Sequence, residues 1–422
     1  MKTRRKIVLS LLVLSGVLVA SALPGAAKAL ITPGPTPGPI GLVCTTSLTA
    51  VFDLQTTAGY ISNPDGNSLF MWSYHTATGN PGDFQLPGPT LCVNQGDVVT
   101  VNLTNHLPEA VSIVFPGQTG VTHNDPTPGL FTGEADSGGG TVSYTFTAGE
   151  PGTYLYESGT EPTKQVQMGL YGALIVYPSM GVGYAYNHAA SAYDSSREYL
   201  LVINEIDPEL HAAVEQGLAY DVTAFQPRYW TINGRSFPDS IAGNSVVWLP
   251  NQPYGALVQV AASADPNATP ALVRYANAGM VNHPFHPHAN HLRVIARDGR
   301  LLRGPLDEDA SFEDFTRTIG AGQTYDLLFR WTNIEPWNTG SDPVPVTIPG
   351  LQNLVFKDGV TFYSGDPRLG EQDKFPVGVV SYSQCGEYYF PWHSHALFEF
   401  TNFNEGFGGL ATILRVDPPG GC

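Results

Sequence analysis

The sequence predicts an all-β protein built from two β-sandwich domains, and three observations predict it. The 422 residues include 46 Gly and 35 Pro, with 20 Tyr and 20 Phe beside only 14% charged residues. Turn formers joined to aromatic and β-branched side chains describe many short, half-buried strands and little helix. Strand-like runs recur at short spacing in two series, separated by a polar stretch at 184–196 that has no apolar periodicity. Each series closes on the same device. Gly152-Thr-Tyr-Leu-Tyr, followed by Met168-Gly-Leu-Tyr-Gly-Ala-Leu-Ile-Val, is echoed by Gly386-Glu-Tyr-Tyr-Phe, followed by Gly406-Phe-Gly-Gly-Leu-Ala-Thr-Ile-Leu-Arg-Val.

In chain order, Lys2, Arg4, Arg5 and Lys6 precede an apolar run over 7–22 and the small-x-small sequence Ala27-Lys28-Ala29, which together predict a signal peptide at 1–29 and export to the periplasm or the extracellular space. After its cleavage no segment is long and apolar enough to predict a membrane span. Residues 30–43 form a Pro/Gly-rich linker without core-forming side chains. The expected domains are 44–183 and 195–418. Removing the five positive charges of residues 1–29 leaves 15 Lys and Arg against 37 Asp and Glu, a formal charge of −22, which argues against nucleic acid as a partner.

In the first domain the expected strands are Thr49–Leu54, Leu69–Tyr74, Val98–Leu103, Ala110–Phe115, Thr141–Phe146, Gly152–Tyr156 and Leu170–Tyr177. In the second they are Glu198–Asn204, Tyr229–Ile232, Val246–Leu249, Ala256–Val260, Leu272–Ala276, Leu292–Ala296, Thr324–Phe329, Val344–Ile348, Gly378–Tyr382, Glu387–Phe390 and Leu410–Val416. Cys44, Cys92, Cys385 and Cys422 predict one or two disulfides in an oxidising compartment, with all three pairings open.

Six of the eleven histidines fall in two short clusters, His283-Pro-Phe-His286-Pro-His288-Ala-Asn-His291 and His393-Ser-His395. Alternate residues of a strand point to one side, so each His-x-His pair can aim two neutral imidazoles at one ion, and imidazole suits copper and zinc. The expected metal ligands are therefore His283, His286, His288, His291, His393 and His395. The isolated His75, His106, His123, His188 and His211 read as hydrogen-bonded structural residues.

These motifs resemble the multicopper oxidases. Leu86-Pro-Gly-Pro-Thr-Leu-Cys-Val-Asn-Gln-Gly-Asp-Val-Val-Thr-Val-Asn-Leu-Thr-Asn, Tyr229-Trp-Thr-Ile-Asn-Gly, Val294-Ile-Ala-Arg-Asp-Gly and Gly320-Ala-Gly-Gln-Thr-Tyr-Asp are similar to that family's strand and turn sequences. The resemblance implies two cupredoxin-like Greek-key β-sandwich domains. It also implies four His-x-His motifs around a three-copper cluster, which His286 and His288 would face, and a Cys-linked blue copper, which His283 would face. Here Val114, Pro116, Glu157 and Gly159 stand where the first-domain histidines belong, Ser394 replaces the Cys, and Glu399 replaces a blue-copper His. A hydroxyl is a poor substitute for a soft thiolate, so no blue site is expected.

Two functions follow as expectations. One is an exported copper-binding protein, a diverged oxidoreductase acting on metal ions or small phenols with fewer coppers than the family; laccase-like turnover is not expected. The other is a non-catalytic extracellular protein for metal binding or structural assembly. Copper is the expected cofactor and metal partner, zinc its competitor. Self-association and a further extracellular protein both stay open as partners.

Overall fold

The computed structural model describes residues 39–77, 83–263, 265–288, 290–332 and 388–417. The predicted signal peptide, Cys385, Cys422 and the expected strands Val344–Ile348 and Gly378–Tyr382 lie outside the described residues.

The first sandwich is built from β1 (Val51–Ser62), β2 (Ser68–Thr76), β3 (Leu91–Asn94), β4 (Val98–Asn105), β5 (Thr122–His123), β6 (Gly140–Thr147), β7 (Gly152–Glu157) and β8 (Tyr171–Tyr177). One sheet runs β2-β1-β4-β6-β5 and the other β3-β8-β7. Along β4 every second residue is buried, Val99, Val101 and Leu103 facing the core. That is the alternation a sheet covered on one face requires.

Ala110–Phe115 forms isolated bridges, Val111 to Ala135 and Val114 to Glu157, rather than a strand. Its apolar residues still enter the core, and between the two bridges tyrosine hydroxyls pair with the backbone of Ser112 and Ile113. Tyr144 accepts from the Ile113 N–H at 2.9 Å and Tyr74 donates to the Ser112 carbonyl at 2.5 Å. Pro116 brings no backbone donor to extend a ladder. The Cys44–Cys92 disulfide ties the entering chain to β3.

The second sandwich contains β9 (Glu198–Ile206), β10 (Tyr229–Ile232), β11 (Val258–Ser263), β12 (Ala271–Asn277), β13 (His283–Pro287), β14 (Leu292–Arg297), β15 (Arg300–Leu301), β16 (Phe312–Asp314), β17 (Arg317–Ile319), β18 (Thr324–Phe329), β19 (Trp331–Thr332), β20 (Tyr388–Ser394), the short hairpin β21 (Thr401–Asn402) and β22 (Glu405–Gly406), and β23 (Ala411–Asp417). One sheet runs β10-β9-β12-β18-β14-β15, with β16 on β14; the other runs β17-β13-β20-β23-β11-β19. Val246–Leu249 is a turn, not a strand, with Val247 and Trp248 exposed. Gly243 and Pro250 flank it and break the extended run.

The two sandwiches share a buried layer in which Leu155, Tyr171, Ala173 and Ile175 of the first meet Leu200, Val202, Ile206 and Ala276 of the second. A short helix, α1 (Pro208–Glu215), follows β9. Asp207 caps it by accepting from the Glu209 N–H at 2.9 Å, and Pro208 occupies the first turn, where its missing N–H costs nothing. Among the described residues no helix is long and apolar enough to cross a membrane.

Candidate metal centre

Pro284 and Pro287 each push the preceding histidine, His283 and His286, toward extended backbone, so the His-Pro-Phe-His-Pro sequence forms β13. β13 pairs antiparallel with β20, setting Phe285 opposite Ser394, His286 opposite His393 and Pro287 opposite Trp392. The His395 N–H donates to the Pro284 carbonyl at 2.7 Å, and the His288 N–H to the Pro391 carbonyl at 2.9 Å, which continues the pairing beyond both strand ends. Alternation sorts the side chains. Phe285 and Trp392 stack in the core at 6.2 Å, both against Tyr275. His286, His288, His393 and His395 share the opposite face.

Four imidazoles meet there. Ring centroids lie 5.0 Å apart for His286–His288 and His288–His393, 5.1 Å for His286–His395, 5.8 Å for His286–His393 and 6.0 Å for His393–His395. The Nδ1 of His286 lies 2.6 Å from the Phe315 carbonyl and that of His393 2.7 Å from the Ser394 carbonyl. A carbonyl only accepts, so each Nδ1 carries the proton and each Nε2 keeps its lone pair, the arrangement found in metal-ligating histidines.

The Nε2 atoms of His288 and His393 are 3.0 Å apart. Two nitrogens on one tetrahedral cation are separated by about 3.3 Å, from bonds of 2.0–2.1 Å. Burial, then the neighbouring rings of His393, His286 and His395, pushes His288 down to about 4, and burial also lowers His393. The rings of His288 and His393 are therefore neutral and competent as ligands at neutral pH. Among the described residues no three His, Cys, Asp or Glu side chains form a ready-made cation cage. The hydrogen bond between His288 and His393 uses the space and the lone pair that an ion would take.

The other two expected ligands lie elsewhere. His291 is exposed, and its ring contacts Phe315 at 5.9 Å. His283 is three residues from His286, an odd offset that turns it to the other face of β13, where it is fully buried. There its Nδ1 lies 2.8 Å from Glu399 Oε2 and its Nε2 3.0 Å from Glu205 Oε2, with both carboxylates buried. Burial opposes a charge on the ring, but the hydrogen bonds to Glu205 and Glu399 outweigh it and push His283 up to about 9.

Glu205 was not expected from the sequence. Its other oxygen accepts from the Met280 N–H at 2.5 Å and the Gln167 side-chain amide at 3.2 Å. Gly279 leaves the room: a Cβ there would fall 1.8 Å from Glu205 Oε2. A signal existed. Leu201, Ile203 and Glu205 share the core-facing side of β9, and a carboxylate in that series calls for a buried partner.

Ser394, fully buried, accepts from the Ala396 N–H at 3.2 Å and offers no thiolate. In the first sandwich, Val114 and Glu157 exchange backbone hydrogen bonds at 2.8 and 3.1 Å, and a Cβ on Gly159 would meet Val114 Cγ1 at 2.6 Å. Three of the four substituted positions are thus neighbours, with a methyl group where imidazoles would have to fit.

Residues 76–181 match the family model for multicopper oxidase. The chain is 42% identical over 100 residues to an L-ascorbate oxidase of Cucurbita pepo var. melopepo, covering 23% of this chain and 18% of that protein. It is 29% identical over 259 residues to an L-ascorbate oxidase of Brassica rapa subsp. pekinensis, covering 58% and 42%. The chain thus spans less than half the length of these relatives. In fold it is similar to the blue copper oxidase from Nitrosomonas europaea, with a TM-score of 0.58 at 19% identity over 87% of this chain and 85% of that one. The matched segment and the sequence relatives agree that residues 76–181 carry a multicopper oxidase domain, and the paired sandwiches share that family's cupredoxin fold.

Proposed function

We propose that the protein is an exported copper-binding member of the multicopper oxidase family with a reduced copper complement, held by His286, His288, His393 and His395, and that it acts as an oxidoreductase on metal ions or small phenols. The reading takes 1–29 as a signal peptide and 44–183 and 195–418 as the two domains. One observation carries it: four imidazoles on one face of β13 and β20, with two Nε2 atoms 3.0 Å apart and two Nδ1 protons committed to carbonyls. His283 and His291 are left out of the ligand set. Copper bound there would supply one-electron redox chemistry. The chain supplies the ligands, fixes their tautomers through Phe315 and Ser394, and shields one flank by stacking Phe400 on His393 at 5.1 Å.

Copper reconstitution of the full chain tests the proposal, with metal content, electron spin resonance and oxygen uptake as readouts. The expected result is bound copper with an ordinary, non-blue signal, lost in the double variant His286→Ala/His393→Ala, and oxygen uptake with Cu(I), Fe(II), Mn(II) or a phenol. Retention of copper by the double variant would refute the ligand set. Copper without oxygen uptake would favour the non-catalytic reading, and preferential loading from an equimolar copper and zinc mixture decides between the two metals.

A further inference from the structure

The place that the family resemblance gives to a mononuclear blue copper is filled by protein groups. Its thiolate is the hydroxyl of Ser394, and one of its imidazole positions is Glu399. The histidine that remains, His283, gives one ring nitrogen to each of two buried carboxylates, Nδ1 to Glu399 at 2.8 Å and Nε2 to Glu205 at 3.0 Å. Whichever atoms carry the protons, one proton sits in each gap, and neither nitrogen has a lone pair free for an ion.

The groups around the ring are themselves held. Glu205 accepts from Met280 and Gln167 in a space that Gly279 keeps open. Glu399 belongs to a short 3₁₀ turn, Leu397–Glu399, and its N–H donates to the Ala396 carbonyl at 2.8 Å. Three segments distant in the chain, β9, β13 and the 397–399 turn, converge on one ring. From this geometry we infer that Glu205, His283 and Glu399 form a metal-free ion triad that stands in place of a copper ion, tying these three segments together, and that Glu399 is the residue that keeps copper out. The inference does not depend on copper at the four imidazoles.

Copper reconstitution of two variants tests it, read by copper content and visible spectrum. Ser394→Cys alone should bind no more copper than the parent and show no intense thiolate-to-copper band, because Glu399 still occupies His283. Ser394→Cys/Glu399→His should gain about one equivalent of copper and the band, since it restores a soft thiolate and a second imidazole while freeing Nδ1. A band in the single variant overturns the inference. So does a colourless double variant whose circular dichroism matches the parent.

Removing one partner of a buried triad leaves an uncompensated charge that can unfold a chain, whereas replacing the whole triad by apolar groups is often tolerated. The variant Glu205→Leu/His283→Phe/Glu399→Leu should therefore fold and keep the parent's copper content. Loss of one copper equivalent from this folded variant would make His283 a ligand and overturn the inference. The four-imidazole site is scored separately by His286→Ala/His393→Ala, so either reading can fail without the other.

Discussion

Gly279 and His211 show how single positions here are governed by what faces them across the fold. An added Cβ at Gly279 would overlap Glu205 Oε2, so Gly279→Ala forces the carboxylate away from His283. Overpacking of this kind costs about 1–3 kcal/mol, and the displaced charge adds to it. A lower urea midpoint at an unchanged slope is the expected readout. His211 is buried on α1 with its Nδ1 2.6 Å from the Phe70 carbonyl, and burial pushes it down to about 4 from its ordinary 6.5. Its neutral form belongs to the folded state, so the stability it contributes is complete above about pH 6.5 and is lost as the pH falls toward 4. Between pH 7 and pH 5 that loss is about 2 kcal/mol. His211→Gln, which can still donate to Phe70, should flatten the pH dependence of unfolding by that amount relative to the parent.

At the scale of elements, β13 and β20 carry the site because their inward residues anchor them. Phe285 and Trp392 stack against Tyr275 on one face and leave the imidazoles on the other. Phe285→Ala should cost about 3–5 kcal/mol in thermal or urea unfolding. It should also weaken copper binding, because the strand bearing His286 and His288 loses the contact that fixes it. The pairing of two His-x-His motifs was legible in the sequence, since alternation is a property of any extended backbone. The same rule, applied to the odd spacing from His283 to His286, separates His283 from the others, as the family resemblance also implied. The non-strand behaviour of Ala110–Phe115 was not legible, because the hydroxyls of Tyr144 and Tyr74 that satisfy its backbone come from other strands.

Across the whole molecule, the sandwiches are joined by apolar contacts and by buried ion networks, of which that around Arg274 is the more extensive among the described residues. Arg274 on β12 donates to Glu198 at 2.7 Å, to Asp326 at 3.2 Å and to Thr153 of β7 at 3.0 Å, while Tyr186 donates to Asp326. Arg274→Met would strand the buried carboxylate of Asp326 and the partly buried one of Glu198 and should destabilise the protein by about 3–5 kcal/mol, measurable by denaturation. Reduction of Cys44–Cys92, which spans 48 residues, should cost about 4 kcal/mol on the chain-entropy account. The sequence by itself determined the all-β class, the two sandwiches and the His-x-His pairs, because composition, strand periodicity and ligand chemistry are local properties of a chain; the loss of the thiolate at Ser394 is what the family resemblance implies. Tertiary structure alone decided that His288 and His393 share a hydrogen bond, that the Phe315 carbonyl sets the tautomer of His286, and that Glu205 and Glu399 close on His283. Those outcomes depend on strand pairing and on buried charges finding partners 78 and 116 residues away, and no local pattern encodes them.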